Sequence, residues 1–371
     1  MSQLKAMYSE LVSEEFPETL TIILGDEKLV YKKRRWNVGG ENRGLRYGEN
    51  PDQPAALYQL VEGAISVGGL KWRKPNDAIV SGLEDGQMIQ AGKHPGKTNL
   101  TDTDNGANIL QYLADKPACV ILKHNNPCGA AWNESSFEAV KRAFDCDRIA
   151  AFGGVLVVNT PISLEIAEFL AQNYFEVVAA PTYEEGAVEI LARRKNLRIL
   201  ELPGLGRLAE LTSGSFLDIR SLSDGGLIIQ KSFSDRILST ADFIPATAKT
   251  PDGVEVVARY PDAKELDDLR FAWAVEAGVV SNSVIFARDG ATVAIGAGEQ
   301  DRVGCVELAV RKAHTKYADN LAFERTGKSL YELRRATESD PELKVALDQI
   351  EGETEERKGG LIGSVMVSDG F

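Results

Sequence analysis

The chain has 371 residues, 43% apolar and 26% charged, the balance of a globular protein long enough to bury a core without disulfide or metal staples. At roughly 150 residues per domain it accommodates about two domains. Its 42 basic and 55 acidic residues leave a net charge of −13, which disfavours broad contact with nucleic acid or an anionic membrane but allows one phosphorylated ligand in a local basic cluster.

The four cysteines, Cys119, Cys128, Cys146 and Cys305, form no C-x-x-C pair and read as reduced thiols. The segment MSQLKAMYSE lacks the apolar core of a secretory signal, and no window of ~18 residues is apolar throughout. A cytoplasmic protein is the expectation.

In chain order, TLTIILGDEKLVYKKRRW predicts two short strands about a Gly-Asp turn, inside an N-terminal segment of residues 1–44. WNVGGENRG reads as a loop, and LRYGENPDQPAALY as a Pro-bounded loop entering a strand at AALY. Ile109, Leu110 and Leu113 mark a helix within 99–114, and ACVIL at 118–122 reads as a buried parallel strand. Lys123 and His124 end that strand, and Asn126-Pro127-Cys128-Gly129 reads as the turn after it. A helix is expected over 135–146, a strand over 150–158, then helix 162–173, strand 175–180, helix 184–195 and strand 197–201. This alternation predicts an α/β fold with a mixed or parallel sheet. A second α/β stretch is expected from about 226, with strand GLIIQ, a helix near 264–277, strands SVIFAR and TVAIGAG, and a helix at 302–314. Residues 315–358 read as a charged helical surface insertion, and GLIGSVMVSDGF as a strand entering a turn.

Lys123-His124 is the strongest local signal, because open α/β sheets place ligands beyond the carboxyl ends of their strands. A histidine there exchanges protons near neutral pH, and a lysine offers positive charge to an oxyanion or phosphate. A solvated lysine beside a loop-capping histidine is the alternative, and these residues alone leave both open. Pro127-Cys128 matches half of the zinc-deaminase pattern P-C-x-x-C, but Ala131 stands where the second cysteine belongs. Zinc chemistry is therefore not expected, and Cys128 reads as a packing residue. Gly296-Ala297-Gly298 is a lone G-x-G with Asp301 at the third glycine position, too little for an NAD site. Arg46-Tyr47 suits a phosphate and a base or hydroxyl, and Asn282 within Ser281-Asn282-Ser283 suits a carbonyl or formyl oxygen.

Taken together, LRYGENPDQ, KHNNPCGAA, the AFGG strand, SNSVIFA and IGAGEQDR resemble, in order, the formyltransferase domain of the AICAR formyltransferase/IMP cyclohydrolase family. The likeness runs from about residue 44 to the end and includes NLTDTD and Glu176 with VVAAP. It implies duplicated cytidine-deaminase-like α/β subdomains without zinc, here 45–225 and 226–371. It implies formyl transfer from 10-formyltetrahydrofolate to the 5-amino group of AICAR in a homodimer with a shared active site. By position, Lys123, His124 and Asn282 match catalytic groups. Arg46, Tyr47, Asn99, Gly153, Glu176, Arg302 and Phe371 match substrate-binding groups. Ser281, Ser283 and Asp369 match a monovalent-cation site, which makes potassium an implied ion.

Three departures accompany the resemblance. Only about 44 residues precede LRYG, so no cyclohydrolase activity is expected of this chain. Asp52 stands where the family has a histidine. The chain stops at Phe371, where the family continues, so a non-catalytic or truncated nucleotide-binding relative is the alternative reading.

Overall fold

The computed structural model describes residues 12–66, 68, 70–212 and 214–370. Strands β1 (Thr19–Leu24) and β2 (Glu27–Arg34) pair antiparallel around Gly25-Asp26, as the sequence predicts. The expected loop over WNVGGENRG is instead a small hairpin, β3 (Trp36–Val38) and β4 (Glu41–Arg43), closed by Gly39 and Gly40 at positive φ. Trp36 explains the difference: it is fully buried, and its indole N–H donates to the Leu83 carbonyl at 2.9 Å. The strand expected at AALY starts at Leu57, as β5 (Leu57–Glu62), and pairs with β2.

The central body follows. Its first part comprises β6 (Met88–Gln90), α1 (Lys97–Leu110), β7 (Ala118–Lys123), β8 (Asn126–Trp132), α2 (Ser136–Cys146), α3 (Arg148–Ala151), β9 (Gly154–Val158), α4 (Leu164–Gln172), β10 (Phe175–Ala180), α5 (Ala187–Leu191) and β11 (Arg198–Glu201). Two hairpins intervene: β12 (Leu217–Ser221) with β13 (Leu227–Lys231), and β14 (Ala248–Lys249) with β15 (Glu255–Val256). The chain continues through α6 (Ala263–Glu276), β16 (Ser283–Arg288), β17 (Ala291–Ala297), α7 (Arg302–Thr326), α8 (Leu330–Ala336), α9 (Pro341–Glu356) and β18 (Val365–Ser368).

Among the described residues, nine strands form one mixed sheet in the order β18-β16-β17-β8-β7-β9-β10-β11-β6. Its only parallel neighbours among the described residues are β9 with β10 and β10 with β11. The sequence helix–hairpin–helix–strand occurs twice, as α1-β7-β8-α2…β9 and α6-β16-β17-α7…β18. The two copies meet at an antiparallel β8–β17 seam, so the order β9-β7-β8 on one side is mirrored by β17-β16-β18 on the other.

Strand β7 departs from the parallel expectation, because both its neighbours are antiparallel to it. Continuous apolarity reports burial on two faces rather than strand direction. Ala118, Val120 and Leu122 enter the core beneath α1 and α6, while Cys119 and Ile121 enter the core beneath α2 and α4. The turn after β7 is also displaced: it is His124-Asn125, and Asn126-Pro127-Cys128-Gly129 opens β8. The strand expected over 150–158 starts only at Gly154, after the short helix α3. Helix α7 runs to Thr326, past the expected end near 314, and residues from α7, α8 and α9 share a core of Ala322, Leu333, Leu347 and Ile350.

Small residues allow the closest packing. A Cβ on Gly129 would lie 2.0 Å from the Ala143 carbonyl oxygen of α2 and 2.9 Å from the Cys146 Cβ. Gly129→Ala is expected to lower the unfolding free energy by about 2–3 kcal/mol. Gly86→Ala, where nothing lies within 4 Å, should change it by less than about 0.5 kcal/mol. Urea unfolding of both variants checks this, and equal midpoints would refute it.

Candidate active site

Lys123, Gly153, Glu176 and Arg198 stand at the same end of four neighbouring strands, β7, β9, β10 and β11. Lys123 Nζ donates to the Phe152 carbonyl at 2.8 Å. Gly153 has φ +72°, and a Cβ there would meet the Tyr174 ring at 3.3 Å and Lys123 Nζ at 4.0 Å. The glycine therefore keeps the space beside the lysine open. Phe152 is exposed and its ring lies 5.0 Å from that of Tyr174, so two aromatic faces flank the same spot.

Helix α1 supplies the opposite wall. Asn99 donates to Glu176 Oε2 at 3.0 Å and accepts from the Gly96 N–H at 3.1 Å, which closes the helix start. One turn on, the buried Asp102 carboxylate accepts the Asn125 N–H beside the His124 backbone. His124 and Asn125 have φ 56° and 60°, the two-residue conformation that fits a tight hairpin between twisted strands. Burial raises the Asp102 pKa, and the two amides and the neighbouring imidazole oppose that rise.

Through Glu176, Asn99 connects to a pair of buried arginines. Arg46 is 5% and Arg198 2% exposed. Arg46 donates to the Lys93 carbonyl at 2.9 Å and the Tyr47 hydroxyl at 2.7 Å, and lies over the Tyr47 ring. Arg198 is held by Glu176 at 3.4 Å and the His94 carbonyl at 3.2 Å. Burial pulls the Arg198 pKa down; Glu176 opposes this and Arg46 adds to it. The Nε atoms of both arginines have no acceptor among the described residues. Two guanidinium groups at this depth suit an anion. His94 beside them is pushed down to about 4, chiefly by burial, and so remains neutral at pH 7.

A second cluster lies across the turn. Asn126 Oδ1 accepts the Val280 N–H at 3.2 Å, and Asn105 donates to the carbonyls of Asn125 and Gly278 at 3.1 and 2.9 Å. These bonds tie the loop carrying Ser281 and Asn282 to the His124-Asn125 turn. The Asn282 side chain donates to the Glu299 carbonyl at 2.8 Å. Ser281, Ser283 and Asp369 do converge: Asp369 accepts both hydroxyls and the Ser283 N–H. Arg302 joins them, bonding Asp369, Ser368 Oγ at 2.7 Å and the Gly370 carbonyl at 2.6 Å, so the chain itself engages this guanidinium. Burial works against ionisation of Asp369, but the Ser281, Ser283 and Arg302 bonds hold its carboxyl well below the usual range. Phe371 lies outside the described residues.

Of the residues the resemblance assigns, Lys123, Gly153 and Glu176 stand at one end of the sheet, Asn99 bonds Glu176, and Arg46 and Tyr47 are neighbours of Arg198. Sequence reading missed Asp102, Arg198, His94 and Glu276. Asp102 lies in NLTDTD, and a buried carboxylate on a helix carries no periodic signal. Arg198 opens an apolar strand, RILE, and that misplaced charge was its one visible mark. Cys128 has its thiol pushed far up, chiefly by burial, as suits packing rather than nucleophilic attack. Gly296 serves packing too, since a Cβ would lie 2.5 Å from the Cys305 carbonyl oxygen of α7. Among the described residues, no group of three or more His, Cys, Asp or Glu side chains is placed to hold a metal ion.

The family model described as "AICARFT/IMPCHase bienzyme" matches residues 3–312. The chain is 39% identical to the "Bifunctional purine biosynthesis protein PurH" of Roseobacter denitrificans over 283 residues, covering 76% of this chain and 47% of that protein. It is 34% identical to the protein of that name from Rhizobium johnstonii over 312 residues, covering 83% and 50%. The Nostoc punctiforme protein of the same name is 37% identical over 278 residues, covering 75% and 47%. The chain spans about half the length of the curated relatives it matches. It belongs to the AICARFT/IMPCHase bienzyme family.

Glu276 yields a test of the second cluster. It is 9% exposed, shares the Ser283 hydroxyl with Asp369, and is pushed up to about 7, chiefly by burial. Its ordinary value is 4.5, so the folded chain holds an extra proton between these values. That contribution to stability is complete below pH 4.5 and is lost as pH rises through 7. Glu276→Gln should match wild type at low pH and gain on it by about 3 kcal/mol by pH 8. Denaturant unfolding across this range checks it, and a constant difference would refute it.

Proposed function

We propose that this chain transfers a formyl group from 10-formyltetrahydrofolate to the 5-amino group of AICAR, within purine biosynthesis. One observation carries the reading. The His124-Asn125 turn bonds α1 at Asp102, and three residues earlier on the same helix Asn99 bonds Glu176, which in turn holds Arg198. Asn99 and Asp102 lie about 4.5 Å apart along α1, so one helix links the turn that carries His124 to the carboxylate that holds Arg198, an arrangement that sets a proton acceptor and buried positive charge on one site for a phosphorylated substrate. Family membership supports the same chemistry.

The amine of AICAR is a weak nucleophile, because its lone pair is delocalised into the imidazole carboxamide. His124 takes its proton as nitrogen bonds the formyl carbon. Lys123 stabilises the oxyanion on that carbon, and the remaining Asn282 amide proton assists. Collapse of this intermediate breaks the bond between the formyl carbon and the folate N10, and the proton held by His124 passes to the leaving nitrogen. Arg46, Tyr47 and Asn99 hold the nucleotide, with Glu176 orienting Asn99. Gly153 leaves room for it. Arg302 acts through Asp369; Ser281, Ser283 and Asp369 would be the residues to hold a potassium ion, which would supply fixed positive charge beside that cluster. The two α/β halves, 45–225 and 226–371, work as one catalytic body. Association as a homodimer is supported by the β12–β13 hairpin, which leaves Leu227, Ile228 and Ile229 exposed. The acidic balance supports small-molecule substrates over nucleic acid, and among the described residues no helix is long and apolar enough to cross a membrane.

Tetrahydrofolate release from 10-formyltetrahydrofolate should depend on AICAR. Lys123→Ala and His124→Ala should each lower kcat by ~10²-fold or more. Arg46→Ala should act mainly on the AICAR KM. Release that is absent, or indifferent to AICAR, would overturn the assignment.

A further inference from the structure

We propose that Asp102 is a positioning residue that holds the His124 imidazole in place through the backbone of the His124-Asn125 turn. The inference rests on the formyl-transfer reading for its kinetic consequence, but not for its structural one.

The turn itself poses the problem. His124 and Asn125 both lie in the left-handed region, at φ 56° and 60°. Glycine and asparagine enter it readily, whereas a histidine needs its surroundings to hold it there. Two-residue connections between twisted strands favour turns with positive φ at the first residue, where His124 stands, and the form seen here has it at both. The residue best suited to proton transfer thus occupies a position its own backbone preference does not favour.

Asp102 answers that demand. It is 3% exposed, its carboxylate accepts the Asn125 N–H, and the adjacent His124 backbone also favours its charged form. No lysine or arginine forms an ion pair with it among the described residues. A buried carboxylate in that state depends on the turn's amides to satisfy it, just as those amides depend on it. Asn105, one turn further along α1, bonds the Asn125 carbonyl at 3.1 Å. The helix therefore grips both polar edges of the turn. Lys123 is anchored elsewhere, on the Phe152 carbonyl. Loss of the Asp102 carboxylate should thus displace the imidazole and leave the lysine and the nucleotide pocket in place.

Asp102→Asn retains the shape but replaces one acceptor oxygen with an N–H₂ that opposes a turn amide. Its kcat should fall ~30-fold or more while the AICAR KM stays within about threefold, since misplacement of a reacting group by about 1 Å costs up to ~10²-fold. The chain contains three histidines, His94, His124 and His314, so their ring signals in NMR can be assigned by single substitutions. In Asp102→Asn the His124 ring signals should shift while those of His94 and His314 stay. Unmoved His124 signals together with kcat within about threefold of wild type would overturn the proposal. An inactive wild type would refute the formyl-transfer reading instead, and the ring signals would still decide the role of Asp102. Should Asp102→Asn not fold, amide exchange in wild type decides: slow exchange at Asn125 is expected, and rapid exchange there overturns the proposal.

Discussion

The double-sided burial of β7 is the constraint on which the rest depends. Val120 and Leu122 reach one core and Cys119 and Ile121 the other, each fully buried. A strand with no solvent face cannot slip by one residue without exchanging its two cores. Its register fixes where it ends, and it ends at Lys123. The hairpin return through β8 then brings Gly129 against α2, where no side chain fits. Sheet packing thereby sets the location of the turn that carries His124.

From that turn outward, the site is built of buried charges satisfied by named partners. Asp102 is held by backbone amides, Arg198 by Glu176 and the His94 carbonyl, and Asp369 by Arg302 and two serines. His94 avoids adding a third positive charge to the arginine pocket by staying neutral. Each such group is costly to bury alone and economical in company. Together they set distant parts of the chain against one sheet end.

The twofold recurrence of helix, hairpin, helix and strand gives the two clusters a common origin in the fold. The first copy ends its hairpin with His124-Asn125, and the second with Asp289-Gly290, in the same left-handed pair of conformations. In the second copy the usual turn residues are present and Asp268 accepts both turn amides, at 3.0 and 2.7 Å. A helix carboxylate capping a hairpin turn is thus a repeated element. In the first copy the turn's first residue is a histidine.

Local sequence determined the strands and helices with strong periodicity, because burial pattern and caps act over a few residues. ACVILK, FEVVAA and SVIFAR were legible as strands, and Ser135, Ser163 and Asp301 start their helices by accepting the amide three residues on. Motif likeness marked Arg46, Tyr47, Lys123, His124 and Glu176. Strand direction around β7, the two-residue turn, the hairpin at Trp36 and the roles of Asp102, Arg198 and Glu276 were decided only by tertiary structure. Each of these depends on a partner far along the chain, such as Asp102 with Asn125 or Glu276 with Asp369. A carboxylate's neighbours fix its charge and its purpose, and spacing along the chain does not encode them.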